Sequence, residues 1–114
     1  LFIIDFKVTN INKDKINTYQ TQLNSYALMF EYPDEKSLKL SPINKLGIFC
    51  FEPSQILEKD KNTFFEMSTF FFEIERNDEE FLNFITKILD FLNSSPPEYN
   101  SNCSICFLKK NNFS

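Results

Sequence analysis

The chain has 114 residues, of which 42% are hydrophobic and 25% charged, and its formal net charge is −4. That length allows one domain with one modest core, and that balance excludes a disordered polymer. One Gly and no His exclude glycine-rich nucleotide loops, Ser-His-Asp or Cys-His nucleophiles and His-ligated zinc from these residues.

The acidic balance argues against a broad basic nucleic-acid face, although a metal cleft is itself acidic. Fifteen Phe and no Trp point to a core packed largely with Phe. No apolar run approaches the ~20 residues of a membrane span. No membrane partner is therefore expected, and a cytoplasmic setting is the default.

Leu1-Phe2-Ile3-Ile4-Asp5-Phe6-Lys7-Val8 is apolar and rich in bulky β-formers, which suits a strand buried on both sides. Alternation puts Phe2, Ile4, Phe6 and Val8 on one face and Leu1, Ile3, Asp5 and Lys7 on the other. Asp5 and Lys7 thus project together from a hydrophobic layer, where burying either charge alone is costly. A structural ion pair is the plain explanation. A Mg²⁺ ligand beside a catalytic lysine is the functional one, because a carboxylate is a hard oxygen donor and a lysine in a partly dry cleft can steady a phosphate or a water. The same spacing recurs at Asp34-Glu35-Lys36, after Pro33 in a polar turn, where a solvated surface is expected.

Residues 10–15 are polar and read as a loop. A helix then opens at Asn17-Thr18-Tyr19-Gln20, with Asn17 as cap and Gln20 reaching back. Its apolar stripe is Tyr19, Leu23, Tyr26, Ala27 and Phe30. Gln22 borders that stripe one turn before Tyr26, and Pro33 ends the helix nearby. On its own this is an ordinary amphipathic helix.

Residues 45–51 read as a central strand, stopped by Pro53 and parallel to the first through a right-handed crossover. Cys50 falls inside it as a core residue. Residues 54–62 are a charged excursion. Residues 63–75 form one long strand or two short ones. Phe70, Phe72 and Ile74 share a face opposite Glu73 and Glu75, and Phe65 and Met67 fall on the other parity. A bulge near Ser68 and an edge position are expected. Asn77 caps a second helix, with Glu80 completing the box. Phe81, Phe84, Ile85, Ile88 and Leu92 form its packing stripe, widened by Leu82, Leu89 and Phe91. Its acidic opening suits the helix dipole. Residues 1–95 then form the domain, and residues 96–114 a Pro- and Cys-containing tail.

In that tail Cys103-Ser104-Ile105-Cys106 suits a metal knuckle or a redox dithiol. The redox reading is the weaker, because no strand precedes the pair and no helix pattern follows it. Half of a four-ligand zinc or iron–sulfur site is the alternative.

The strand with Asp5-Phe6-Lys7 and the helix with Gln22-Leu23-Asn24-Ser25-Tyr26, in that order and at that separation, resemble the PD-(D/E)XK nuclease superfamily, in particular its RecB-type nuclease domains. The resemblance implies an α/β, restriction-endonuclease-like mixed sheet flanked by helices, in the order strand–helix–strand–strand–helix. The chain matches the C-terminal portion of such a domain, because the family's further acidic ligands lie upstream of the residue matching Leu1. The resemblance also implies hydrolysis of DNA phosphodiester bonds with Mg²⁺ or Mn²⁺, in DNA repair, recombination or the processing of mobile-element or phage DNA. Asp5 and the carbonyl of Phe6 would hold the metal. Lys7 would orient water or steady the phosphate, and Gln22 and Tyr26 would organise the cleft. DNA and a helicase or other recombination subunit are the implied partners.

Some family members hold an iron–sulfur cluster on a tail of this kind. Cys103 and Cys106 match two of its ligands. Asn112 stands where the third belongs, and Cys50 lies in a core strand, so a remnant or a surface knuckle with free thiols is expected over a cluster. Two other readings compete with a nuclease. One is a catalytically inactive nuclease-like module with a structural or DNA-binding role in a larger assembly. The other is an unrelated α/β domain in which Asp5 and Lys7 point away from Gln22 and Tyr26.

Overall fold

The computed structural model describes residues 1–106 and 108. The first strand, β1 (Phe2–Val8), keeps strict two-residue alternation. Ile3, Asp5 and Lys7 are half-buried, whereas Phe2, Ile4, Phe6 and Val8 are exposed. The expected burial on both sides therefore fails at those four side chains. The buried cluster and the residues packed against it include Ile3 but none of the four.

The following helix, α1 (Lys13–Glu31), starts four residues before the expected cap at Asn17. The N-cap is Asn12, whose side-chain oxygen accepts the N–H of Lys15 at 2.9 Å. The Lys15 ammonium donates to Thr9 Oγ1 at 2.6 Å and to the Asn10 carbonyl at 2.9 Å, tying the first helical turn to the end of β1. Ile11 and Ile16 pack against the core, which supplies the apolar anchor that the polar spelling of this stretch conceals.

The second strand, β2 (Lys45–Lys59), pairs with β1 in parallel, Asp5 opposite Ile48 and Lys7 opposite Cys50. It does not stop at Pro53. The register shifts between Pro53 and Gln55, and that irregularity accommodates a residue with no N–H to give to the ladder. The chain turns at Asp60-Lys61, both at positive φ (53° and 65°), into β3 (Asn62–Ile74), antiparallel to β2. The expected charged excursion is thus the far half of a hairpin. The expected bulge near Ser68 lies instead on the partner strand, close to where Glu52 faces Ser68 and Pro53 faces Met67. Residues 53–70 contain no buried side chain.

The result is an α/β arrangement with a three-stranded mixed sheet in the order β1-β2-β3, so β3 takes the expected edge position among the described residues. Leu23 and Ala27 of α1 pack against Leu46, Ile48 and Cys50 of β2, Ile74 of β3 and Ile43 of the α1–β2 connection. Complete burial of a Leu or Ile side chain contributes about 1.5–3 kcal/mol, so this small cluster is what holds α1 on one face of the sheet.

The last helix, α2 (Asp78–Asn93), opens on the expected Asn77 cap, whose Oδ1 accepts the Glu80 N–H at 3.0 Å. Glu80 does not complete the expected box: the Asn77 N–H goes to Asn24 Oδ1, and the Glu80 carboxylate accepts from Asn77 Nδ2 at 3.3 Å instead. It carries its apolar stripe, but no residue of α2 is buried. By contact density the chain divides into two units, Leu1–Asn83 and Phe84–Ser114, with the boundary inside α2. No helix among the described residues is long and apolar enough to cross a membrane.

Candidate active site

Two residues apart on an extended strand, Asp5 and Lys7 must share a face, and here that face is the one α1 covers. Lys7 Nζ lies 2.8 Å from Asp5 Oδ2, with the two side chains 23% and 26% exposed. Residues spaced by four on a helix are neighbours, and Gln22 Nε2 donates to the Tyr26 hydroxyl oxygen at 2.7 Å. The two motifs meet because Lys7 Nζ also donates to Gln22 Oε1 at 3.1 Å, across 15 residues of sequence. Asp5, Lys7, Gln22 and Tyr26 therefore form one unbroken line of polar contacts at the carboxyl end of β1.

Tyr19 was read from the sequence as part of the helical stripe only. Its ring lies under the Lys7 ammonium, 4.9 Å from ring centroid to nitrogen. A stripe position one turn before Leu23 is the signal that places it near the strand, but nothing in its spelling singles it out from an ordinary core aromatic. Cys50, opposite Lys7 in the ladder, is fully buried beneath the pair.

The electrostatics keep Lys7 charged. Its hydrogen bond to Asp5 raises its pKa above the ordinary lysine value, against the opposing effect of partial burial. Burial pushes the Cys50 thiol up, opposed by the positive charge of Lys7. At neutral pH the site therefore presents a charged Lys7 paired with Asp5 and a neutral buried thiol.

The donor set for a metal is partial. Asp5 is a hard oxygen ligand, and Lys7 engages its Oδ2. The Thr9 N–H donates to Phe51 O at 3.1 Å, which turns the backbone groups of odd-numbered β1 residues toward β2 and those of even-numbered ones, Phe6 included, toward the other edge. Among the described residues no strand pairs with that edge, so no ladder bond takes up the Phe6 carbonyl. One carboxylate and one carbonyl suit Mg²⁺ or Mn²⁺, which retain water in the remaining positions. Among the described residues no three His, Cys, Asp or Glu side chains converge into a metal-binding group. A cleft of 560 Å³ beside the site is lined by Tyr26 with Phe30, Tyr32 and Leu38, among others, but not by Asp5, Lys7 or Gln22.

Two structural devices that the sequence reading missed hold α1 in place. Asn24 is almost fully buried on the helix between Gln22 and Tyr26. Its Nδ2 donates to Glu75 O at 3.1 Å, and its Oδ1 accepts the Asn77 N–H at 2.7 Å. Arg76 grips Glu31 through two bonds of 2.7 Å each and Asp78 through two more of 2.9 and 3.0 Å. The Arg76 guanidinium holds the Glu31 carboxyl down at about 2.

Cys103 and Cys106, the other predicted site residues, lie in the second unit, and both are half-buried. Asn112 lies outside the described residues. No family model, curated protein or solved structure matches this chain.

Proposed function

We propose that the chain is the C-terminal portion of a restriction-endonuclease-like, RecB-type domain of the PD-(D/E)XK superfamily, and that it hydrolyses DNA phosphodiester bonds with a divalent metal. The observation that carries this reading is the contact line from Asp5 through Lys7 and Gln22 to Tyr26. An accidental motif gives no reason for the helix pair to reach the strand pair.

Asp5 and the Phe6 carbonyl would hold Mg²⁺ or Mn²⁺. The bound ion supplies positive charge against the charge that develops on the phosphate. Lys7 stays protonated because Asp5 raises its pKa. It therefore acts as a donor and fixed charge toward a phosphate oxygen or a water, not as a base. Gln22 accepts from Lys7 and restrains its rotation. Tyr26 accepts from Gln22, which leaves the phenolic proton to be donated outward, toward the DNA backbone. A helicase or other recombination subunit is a partner consistent with this role.

A second reading is a catalytically inactive nuclease-like module with a structural or DNA-binding role in a larger assembly. The ion pair of Asp5 and Lys7, each already neutralised by the other, favours it. Calorimetric titration of the gene product with Mn²⁺, paired with cleavage of plasmid and linear DNA, separates the two. A nuclease shows a binding heat and metal-dependent cleavage, and Asp5→Asn removes both. Neither heat nor cleavage in the wild-type protein would leave only the inactive module.

A further inference from the structure

The pair of thiols in the second unit takes no part in the Asp5–Tyr26 line. Cys103 immediately precedes residues 104–106, which are helical and include Cys106. Cys103 Sγ accepts the Cys106 N–H at 3.4 Å. A residue just before a helix and the one three places on have Cα atoms about 5 Å apart, inside the window of about 4.4–6.8 Å that a disulfide spans. Both residues are half-buried, whereas Cys50 is buried in the core.

Reactivity sorts the three cysteines the same way. The Cys106 N–H, then the Cys106 thiol, then the Ile105 N–H hold the Cys103 thiol below its usual range. Burial pushes Cys50 above it. The attacking species in exchange is the thiolate, so Cys103 is the first to react.

We propose that Cys103 and Cys106 form a dithiol that exchanges with low-molecular-weight disulfides of the glutathione type, with Cys103 attacking and Cys106 resolving. In the first step the Cys103 thiolate attacks one sulfur of the disulfide. A Cys103–glutathione bond forms, the glutathione S–S bond breaks, and one glutathione thiolate leaves and takes up the proton Cys103 released. In the second step Cys106, deprotonated, attacks Cys103 Sγ. The internal disulfide forms, and the second glutathione leaves as thiolate and is protonated in turn. Two protein thiols are oxidised to one disulfide while one glutathione disulfide is reduced to two thiols. Excess reduced glutathione runs the exchange backward. None of this depends on the nuclease reading, so the two proposals fail separately.

The test incubates the gene product in glutathione buffers of graded ratio, quenches with acid, alkylates the remaining thiols and maps them by mass spectrometry. The expected product is a Cys103–Cys106 disulfide, two hydrogens lighter, with Cys50 still reduced. Cys106→Ser should trap one glutathione on Cys103. Cys103→Ser should abolish the internal disulfide and slow the fastest alkylation phase at pH 7 by about tenfold or more. Stable mixed disulfides on both cysteines of the wild-type protein would overturn the proposal. So would Cys50 alkylating as fast as Cys103, or glutathione failing to accumulate on Cys103 in the Cys106→Ser protein. Circular dichroism of each serine variant, matched to wild type, ensures that a negative result is not one of unfolding.

Discussion

The chain spells Asp-x-Lys twice, and the two copies behave differently. In β1 the backbone is extended, so Asp5 and Lys7 fall on one face and pair through their charged ends at 2.8 Å. After Pro33 the backbone turns, and the carboxylate of Asp34 accepts the backbone N–H of Lys36 at 3.2 Å. The Ser37 side chain, then that same N–H, hold the Asp34 carboxyl below its usual range. One copy couples charge to charge beneath a helix that adds an amide and two phenols. The other is an Asx-type turn that satisfies the local backbone. The spelling is shared, and the backbone conformation decides which chemistry is available.

The sharpest way to test that difference is to remove the two lysines separately. Lys7→Ala should lower metal-dependent DNA cleavage by about 10²–10³-fold, the usual loss for deleting one preorganised charge donor, while Lys36→Ala leaves the rate unchanged. Single-turnover cleavage of a labelled duplex measures both. Equal losses, or none in either, would erase the distinction between strand and turn.

The next effect acts through the position of α1. Asn24→Ala removes the acceptor of the Asn77 N–H and the donor to Glu75 O. Stranding those groups costs about 1–3 kcal/mol. Urea denaturation should show a loss of that size, with a parallel loss of cleavage, because Asn24 sits between Gln22 and Tyr26, the two helix residues on the line of contacts from Lys7. An unchanged urea midpoint would mean that water replaces the side chain and that α1 is held by its apolar contacts alone.

The strand alternation, the Asn77 cap and the parallel pairing of residues 45–51 were legible because each is local or periodic. The start of α1 was not. The expected cap at Asn17 lies inside the helix, whose first turn is anchored by Ile11 and Ile16 packing against the core. Pro53 looked like a stop because proline cannot serve a regular ladder, and the register shift beside it is a property of the pair of strands, not of one. The Arg76 clamp joins groups 45 residues apart, and neither end is distinctive in the chain. At the candidate site, alternation alone put Asp5 beside Lys7. That Gln22 would reach Lys7 rested on the family resemblance, since no periodicity orients a helix toward a particular residue of a strand.

Carboxylates extend the comparison to pH. Glu31, gripped by Arg76, is lowered from 4.5 to about 2. A carboxyl depressed in the folded state contributes stability that is complete above its unfolded value and fades as pH falls through the folded one. Between about 4.5 and about 2 the wild-type protein should therefore lose stability progressively. Glu31→Gln should flatten that part of the curve while lowering the plateau above it. Urea midpoints read across this range check the slope. A slope unchanged in Glu31→Gln would assign the acid loss to other carboxylates.

The smallest effect expected is at Tyr26. Tyr26→Phe keeps the ring that packs against the core and deletes the hydroxyl that accepts from Gln22 Nε2. A neutral hydrogen bond of this kind contributes about 0.5–1.5 kcal/mol, so the stability read from urea denaturation should fall by no more than that, and kcat/KM for cleavage by about two- to twelvefold. The counterpart in the turn is Ser37→Ala, which frees the Asp34 carboxyl to return toward its usual range and should leave cleavage untouched. The decisive contrast is with Gln22→Ala. If that variant loses activity and Tyr26→Phe does not, the phenol only fills space, and the line of contacts ends at the amide. If both lose activity and the double variant loses no more than Gln22→Ala alone, Tyr26 acts through Gln22 on Lys7, as the order of the hydrogen bonds requires.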